Sequence, residues 1–427
     1  MTELSKKDEQ FIWHPFTPLI SKRKPIVISS ASGVYLHTAD GRKILDAISS
    51  WWVNLHGHGH PHIAEAIAKQ ANTLEHVIFA GFTHEPAIML AENLLSILPK
   101  NQHKIFFSDD GSTAVEVAIK IAMQFMHARH PERSKIIAFR DAYHGDTFGS
   151  MSVAERGGFN TPFTKYLFEV VFLHSPSSTH SEKILAQFEK ETADGSTVAF
   201  IYEPLIQAAG GMKFYSPELL DSLLEIAKRN RVITIADEVF TGFGRTGKLF
   251  ASDYLRHKPD IIALSKGITG GALPLGATSC SEEILEPFKS DSMNKVFFHG
   301  HSYTANPIAC AAANASFELL MAAACQHSVK HIADMHKKFV DEITAVPALK
   351  AARALGTVLA LEFKTRESSS YFNNLRDHIY DYFMDRDILL RPLGNVLYLL
   401  PPYVITKGEL NGLYSEIRQF ATTFTQD

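Results

Sequence analysis

Between about Lys104 and Cys280 short apolar runs alternate with amphipathic stretches. Seven runs are short, and rich enough in β-branched or other apolar residues, to predict strands: KIFFS (104–108), KIIAF (135–139), EVVFL (169–173), TVAFIYE (197–203), VITIADE (232–238), IIALS (261–265) and LGATSC (275–280). The stretches 113–129, 181–191 and 217–229 carry apolar residues at helical spacing and begin near Ser, Thr or Pro, which suit helix starts. Strands and crossover helices in that order predict an α/β fold with one large, mostly parallel seven-stranded sheet. After a helix beginning near Asn306 the pattern loosens into long helices and short strands such as VLALEF (358–363) and VLYLL (396–400). This predicts a smaller α+β domain from residue 325 to 427. The first fifty residues lie outside the alternation. There VYLHTADGRKILDAIS reads as two strands joined by a turn through Asp40 and Gly41, expected to pack with the C-terminal part. The predicted division is 1–50, 51–324 and 325–427.

The longest apolar stretch, Pro307 to Cys325, is Ala-rich and interrupted by Asn314, Ser316 and Glu318, so it predicts a buried helix rather than a membrane span. The chain has 427 residues, 45% hydrophobic and 21% charged, a profile that excludes disordered and fibrous classes. Its net charge of -4 gives no chain-wide footprint for nucleic acid. Three cysteines, Cys280, Cys310 and Cys325, form no CxxC pair and no even framework, which favours a reducing compartment. The polar N-terminal ten residues lack the apolar core of a signal peptide. A soluble, cytoplasmic protein is expected.

The strongest chemical signal is Asp237, near the end of VITIADE, with Lys266 just after IIALS, 29 residues later. Both fall at carboxyl ends of predicted strands, the edge where open α/β sheets bind ligands. A lysine beside apolar strands is a candidate for a lowered pKa and Schiff-base chemistry; a loop lysine and a helix-capping aspartate are the plainer alternative. In DDGSTAVEVAIK, Gly111, Ser112 and Thr113 stand between a strand and a helix, where backbone N–H groups could hold a phosphate, although a capped helix without ligand explains them equally well. DAYHGDTFGS sets Tyr143 and His144 in a loop, where an aromatic ring could stack on a planar cofactor or merely cover apolar surface. FFHGHSYTANP offers a second possible phosphate cradle through Ser302, Tyr303 and Thr304. Two features read as decoys. GFGRTGKL (242–249) has Leu249 where a P-loop needs Ser or Thr, and HGHGHPH (56–62) has no nearby Cys or acid to complete a metal site. No metal is expected.

An aspartate, a lysine, an aromatic ring and phosphate-binding amides are the protein parts that a pyridoxal phosphate enzyme needs. ADEVFTGFGRTGKLFA followed by PDIIALSKGITGG resembles the signature of the class III pyridoxal-phosphate aminotransferases. Within that family IWHPFTP, SSWWVNLHGHGHP, AYHGDTFGSMS, EPLIQAAGGM, ACAAANAS and RPLGNVLYLLPPY are similar to the members that convert 8-amino-7-oxononanoate to 7,8-diaminononanoate in biotin biosynthesis. The resemblance runs from about Trp13 to Tyr403. It implies the fold type I architecture of these enzymes, pyridoxal 5'-phosphate as cofactor and a ping-pong reaction through pyridoxamine phosphate. Lys266 would be the Schiff-base lysine and acid/base, and Asp237 the partner of the pyridine nitrogen. Tyr143 would stack on the ring, while Gly111 and Ser112 bind the phosphate. The family's site lies at a homodimer interface, so His301 and Ser302 would reach the neighbouring subunit's phosphate, with Gly300 near its substrate. Trp51, Tyr143, Lys266 and Phe16 would face substrate, and Arg391 would hold the far carboxylate, unless it forms an interface salt bridge. Asp146 and Arg245 match motif positions and are assigned only to support. Phe16 replaces the Tyr of the best-known members, which leaves the donor between S-adenosyl-L-methionine, the favoured one, and lysine. Other class III enzymes, acting on ornithine, 4-aminobutyrate or ω-amino acids, are the alternative.

Overall fold

In the parallel region neighbouring residues of one strand serve two different cores, because side chains alternate across a sheet. Ile137 and Phe139 join the larger apolar cluster on one face, while Ile136 and Ala138 pack on the other with Ala114, Val117, Ala118, Ile121 and Phe125. Burial on both faces explains why these strands read as continuous apolar runs. The computed structural model describes residues 3–21, 23–366 and 373–424.

All seven expected strands enter one sheet: β1 (Gln102–Ser108), β2 (Lys135–Phe139), β3 (Val171–Leu173), β4 (Thr197–Tyr202), β5 (Ile233–Asp237), β6 (Ile261–Leu264) and β7 (Gly276–Ser281), in the order β1-β7-β6-β5-β4-β2-β3. β7 alone runs against the direction of the other six strands, inserted between β6 and β1. The expected EVVFL strand keeps only three residues, since β3 is an edge strand with β2 as its sole neighbour.

Local chemistry sets the helix starts. Asp110 caps α1 (Gly111–Arg129) by accepting from Thr113 N, with the Thr113 side chain bonding back. The short α2 (Phe148–Val153) follows the 140–147 loop. Ser216 caps α3 (Pro217–Arg229), which begins on a proline. Asn306 caps α4 (Pro307–Met321), accepting from Ile308 N and Ala309 N. The apolar run from Pro307 is thus a helix as far as Met321, with nine of its fifteen residues buried, which accounts for its Ala-rich make-up; the rest of the run, to Cys325, breaks at Ala322 and opens the next helix. Among the described residues no single helix is long and apolar enough to cross a membrane; α4 passes only together with the next helix, from which it is bent by 68°.

Beyond α4 come the helix Ala323–Ile343 and an antiparallel sheet of Leu349–Leu355, Val358–Phe363 and Val396–Leu399. Near the N-terminus the strands Ile28–Ser32, Tyr35–Thr38 and Lys43–Asp46 form a meander whose last strand pairs in parallel with Ile388–Leu389. The turn between the second and third contains Asp40 and Gly41, with Gly41 at φ 91°. All three cysteines are free.

Candidate active site

The carboxyl ends of β1, β2, β4, β5 and β6 open onto one cavity of about 720 Å³. Its walls include Gly111, Ser112, Tyr143, His144, Glu203, Asp237 and Lys266. Asp237 is the last residue of β5, in register with Ala263 of β6, so Lys266 is brought beside it by strand pairing alone.

Lys266 stands at φ 48°, a left-handed backbone uncommon for any residue with a side chain. Its amine lies 4.7 Å from the centroid of the Trp52 ring and 5.9 Å from that of Phe240. No hydrogen-bond or ion-pair partner for it is found among the described residues. Burial pushes its pKa down to about 8, against the pull of Asp237 and Glu203. Trp52 is itself fixed, donating from Nε1 to Tyr398 Oη at 2.9 Å. Its backbone, with Ser49 and Ser50, also takes positive φ, and the buried Arg245 guanidinium holds the carbonyls of Trp52 and Asn54 at 3.2 and 3.1 Å.

Asp237 has a partner on its own chain: His144 Nδ1 lies 2.7 Å from Oδ2, while Val239 N donates to Oδ1 at 3.1 Å. His144 Nε2 is buried without a partner. Tyr143 Oη donates to Asp146 at 2.9 Å, and burial followed by that carboxylate raises the phenol's pKa. Glu203 accepts from Tyr143 N at 3.1 Å and Ala208 N at 2.9 Å, tying the Tyr143 loop to the end of β4. Burial raises its pKa to about 7, partly offset by His144. At the start of α1, Ser112 Oγ accepts from Thr147 N at 2.9 Å.

The sequence candidates divide into three groups. Gly111, Ser112, Tyr143, Asp237 and Lys266 share the cavity. Phe16, Trp51 and Arg391 gather beside it: the Arg391 guanidinium carbon lies 4.1 Å from the Trp51 ring centroid, and Phe16 meets that ring edge-on at 5.6 Å. Phe16 and Arg391 line a neighbouring cavity of about 470 Å³. Gly300, His301 and Ser302 line neither; they form a turn before α4 in which Ser302 is exposed and His301 Nδ1 lies 3.4 Å from Asp109. Glu203 and the pairing of His144 with Asp237 are absent from the sequence reading. Only their position at strand ends or beside named residues could have pointed to them.

Both decoys resolve structurally. The 242–249 loop carries the buried Arg245 described above. His56, His58 and His62 bond to Ser316, Asp46 and Glu318, and no group able to hold a metal ion occurs among the described residues.

The residues fit pyridoxal phosphate. An unpartnered, partly neutral amine, an ionisable carboxylate and a stackable ring converge in one space, and at Gly111 a Cβ would run into the Val239 side chain, so the chain must stay bare at the start of α1.

Comparison with known proteins points the same way. Residues 19–420 match the family model described as Aminotransferase class-III. The chain is 47% identical to the adenosylmethionine-8-amino-7-oxononanoate aminotransferase of Synechococcus elongatus, over 95% of this chain and 97% of that one. The crystal structure of the Methanocaldococcus jannaschii protein of the same name superposes with a TM-score of 0.93 at 34% identity, covering 98% of both chains. The amine transaminase from an uncultivated Pseudomonas species, solved in its PLP-bound form, gives 0.90 at 28% identity, over 96% of this chain and 98% of that one.

Proposed function

Since the chain belongs to the class III aminotransferases, we propose that it uses pyridoxal 5'-phosphate to aminate 8-amino-7-oxononanoate to 7,8-diaminononanoate, the biotin-pathway step, as a cytoplasmic homodimer. The observation that carries this reading is the unpartnered Lys266 amine at the end of β6, beside the Asp237–His144 pair. When bound, the cofactor supplies the aldehyde that carries the amine and the ring that takes up the electrons of the broken C–H bond.

Each residue then has one task. Lys266 Nζ, whose pKa burial lowers to about 8, would hold the cofactor's aldehyde carbon and serve as acid and base for the proton at the donor's α-carbon. Asp237 would keep a proton at the ring nitrogen, its Oδ2 held by His144 Nδ1. Tyr143 covers the ring and excludes water, its loop held by Glu203. Gly111 and Ser112 bind the phosphate through their N–H groups at the start of α1. Arg391 receives the far carboxylate of the acceptor, its plane set by Trp51. Gly300, His301 and Ser302, outside their own chain's cavity, complete the partner's.

S-adenosyl-L-methionine is the donor we favour, because Phe16, Trp51 and Phe159 present aromatic surface to a sulfonium and an adenosyl group. In the test, the yellow enzyme is mixed with each donor alone and then with 8-amino-7-oxononanoate. Bleaching by S-adenosyl-L-methionine and recolouring by the oxononanoate are expected. Bleaching by lysine alone would reassign the donor, and no recolouring would overturn the acceptor.

A further inference from the structure

Glu116 projects from the second turn of α1 and forms no ion pair among the described residues; Lys120, four residues on, donates to Phe298 O and lies 3.1 Å from His299 Nδ1. Its carboxylate is turned instead toward the 147–150 segment. A single oxygen, Oε1, accepts from Thr147 Oγ1 at 2.5 Å, Gly149 N at 2.6 Å and Ser150 N at 3.1 Å. Charge-assisted bonds of this kind are stronger than neutral ones, and three on one oxygen fix its place.

The consequences reach Ser112. A threonine hydroxyl has one proton, and the short bond to Glu116 takes it. In the contact of Ser112 Oγ with Thr147 Oγ1, at 2.8 Å, Ser112 must then be the donor, while its oxygen accepts from Thr147 N at 2.9 Å. Ser150 Oγ closes the ring of bonds on Ser112 O at 2.8 Å. The Ser112 hydroxyl is thereby committed inward, and the residue faces a ligand with its backbone N–H. Sequence supports the arrangement at two glycines. A Cβ on Gly149 would occupy the place of the Glu116 carboxylate, and one on Gly145 would strike Ser112. Both positions are bare where the loop closes against α1.

We propose that Glu116 is a positioning residue of the cofactor site: it sets the spacing between the phosphate-binding turn at Gly111–Ser112 and the loop that carries Tyr143. This rests on the reading of the cavity as a pyridoxal phosphate site. Glu116 does not line that cavity and acts through Thr147 and Ser112.

The test uses the full chain, stripped of cofactor by dialysis, and follows equilibrium binding of pyridoxal phosphate together with the melting temperature of the stripped protein. Glu116→Ala is expected to weaken binding about tenfold, equivalent to about 1.4 kcal/mol. Glu116→Gln keeps an oxygen able to accept the same donors and should recover most of the affinity. Gly149→Ala should weaken binding at least as much as Glu116→Ala, by displacing the carboxylate. In the Glu116→Ala background the same change should add less than about twofold, the non-additivity expected of residues in contact. Unchanged affinity in Glu116→Ala, additive effects in the double variant, no recovery in Glu116→Gln, or affinity losses that merely follow the melting temperature would each overturn the proposal. If the parent protein itself takes up no cofactor on Lys266, the reading of the cavity falls and this inference with it. If the parent binds and the variants bind equally well, this inference alone falls.

Discussion

Around Lys266 the active site is made of strand ends: Asp237 closes β5, Lys266 follows β6 by two residues and Glu203 follows β4, each fixed by sheet pairing or buried hydrogen bonds. Around Arg391 it is made of loops, with Phe16 47% exposed and Trp51 held on a segment of positive φ, while Tyr303 beside the Ser302 turn is 61% exposed. Exposed rings stand on that second half and beyond it, at Phe16, Phe82, Phe298 and Tyr303. Under the proposed function, a fixed cofactor floor and an open substrate rim would let one scaffold keep its chemistry while changing what it accepts.

Substitutions at the two halves should therefore fail in different ways. Lys266→Ala removes the nucleophile and the proton carrier together, so kcat should drop by about a thousandfold or more, with the fold unchanged by circular dichroism. Residual turnover near the parent value would place the chemistry on another residue. Arg391→Ala acts at the rim. It should raise KM for the oxononanoate roughly ten- to a hundredfold, the worth of about 1.5–3 kcal/mol for a charged hydrogen-bonded pair, and leave bleaching by the donor nearly intact. Equal loss in both half-reactions would assign Arg391 to the cofactor half instead. Phe16→Tyr is the mildest change, restoring a hydroxyl worth about 0.5–1.5 kcal/mol if it finds a partner. Its effect should stay within about tenfold and appear with the donor; a larger shift would mean that the hydroxyl decides which donor is used.

Legibility in the sequence follows the same division. Asp237 and Lys266 were readable because fully buried parallel strands leave continuous apolar runs, and a charged residue at the end of such a run stands out. The turn at Asp40 and Gly41 and the Asn306 cap were local signals of the same sort. The insertion of β7 between β6 and β1 was not legible, since an antiparallel strand buried on both faces has the same apolar pattern as a parallel one. Nor were the hydrogen bonds that set the site. His144 meets Asp237 across 93 residues, Tyr143 meets Glu203 across 60 and Thr147 meets Glu116 across 31, and no periodicity carries information over such distances. The roles of Gly300 and His301 were suggested by family resemblance alone, and for Ser302 the only local sign was its place just before a helix, where backbone N–H groups could hold a phosphate.

Everything proposed for the cavity turns on Lys266 as the residue that carries the cofactor. Burial favours its neutral form, so below pH 8 the protonated amine must first lose its proton before it can attack. Stripped protein mixed with pyridoxal phosphate should take it up at a rate that climbs about tenfold per pH unit toward about pH 8 and levels off above it, and borohydride should then fix the label to the peptide containing Lys266. A label on any other lysine, no label, or a rate that keeps climbing to pH 10 as for an exposed lysine would contradict the account.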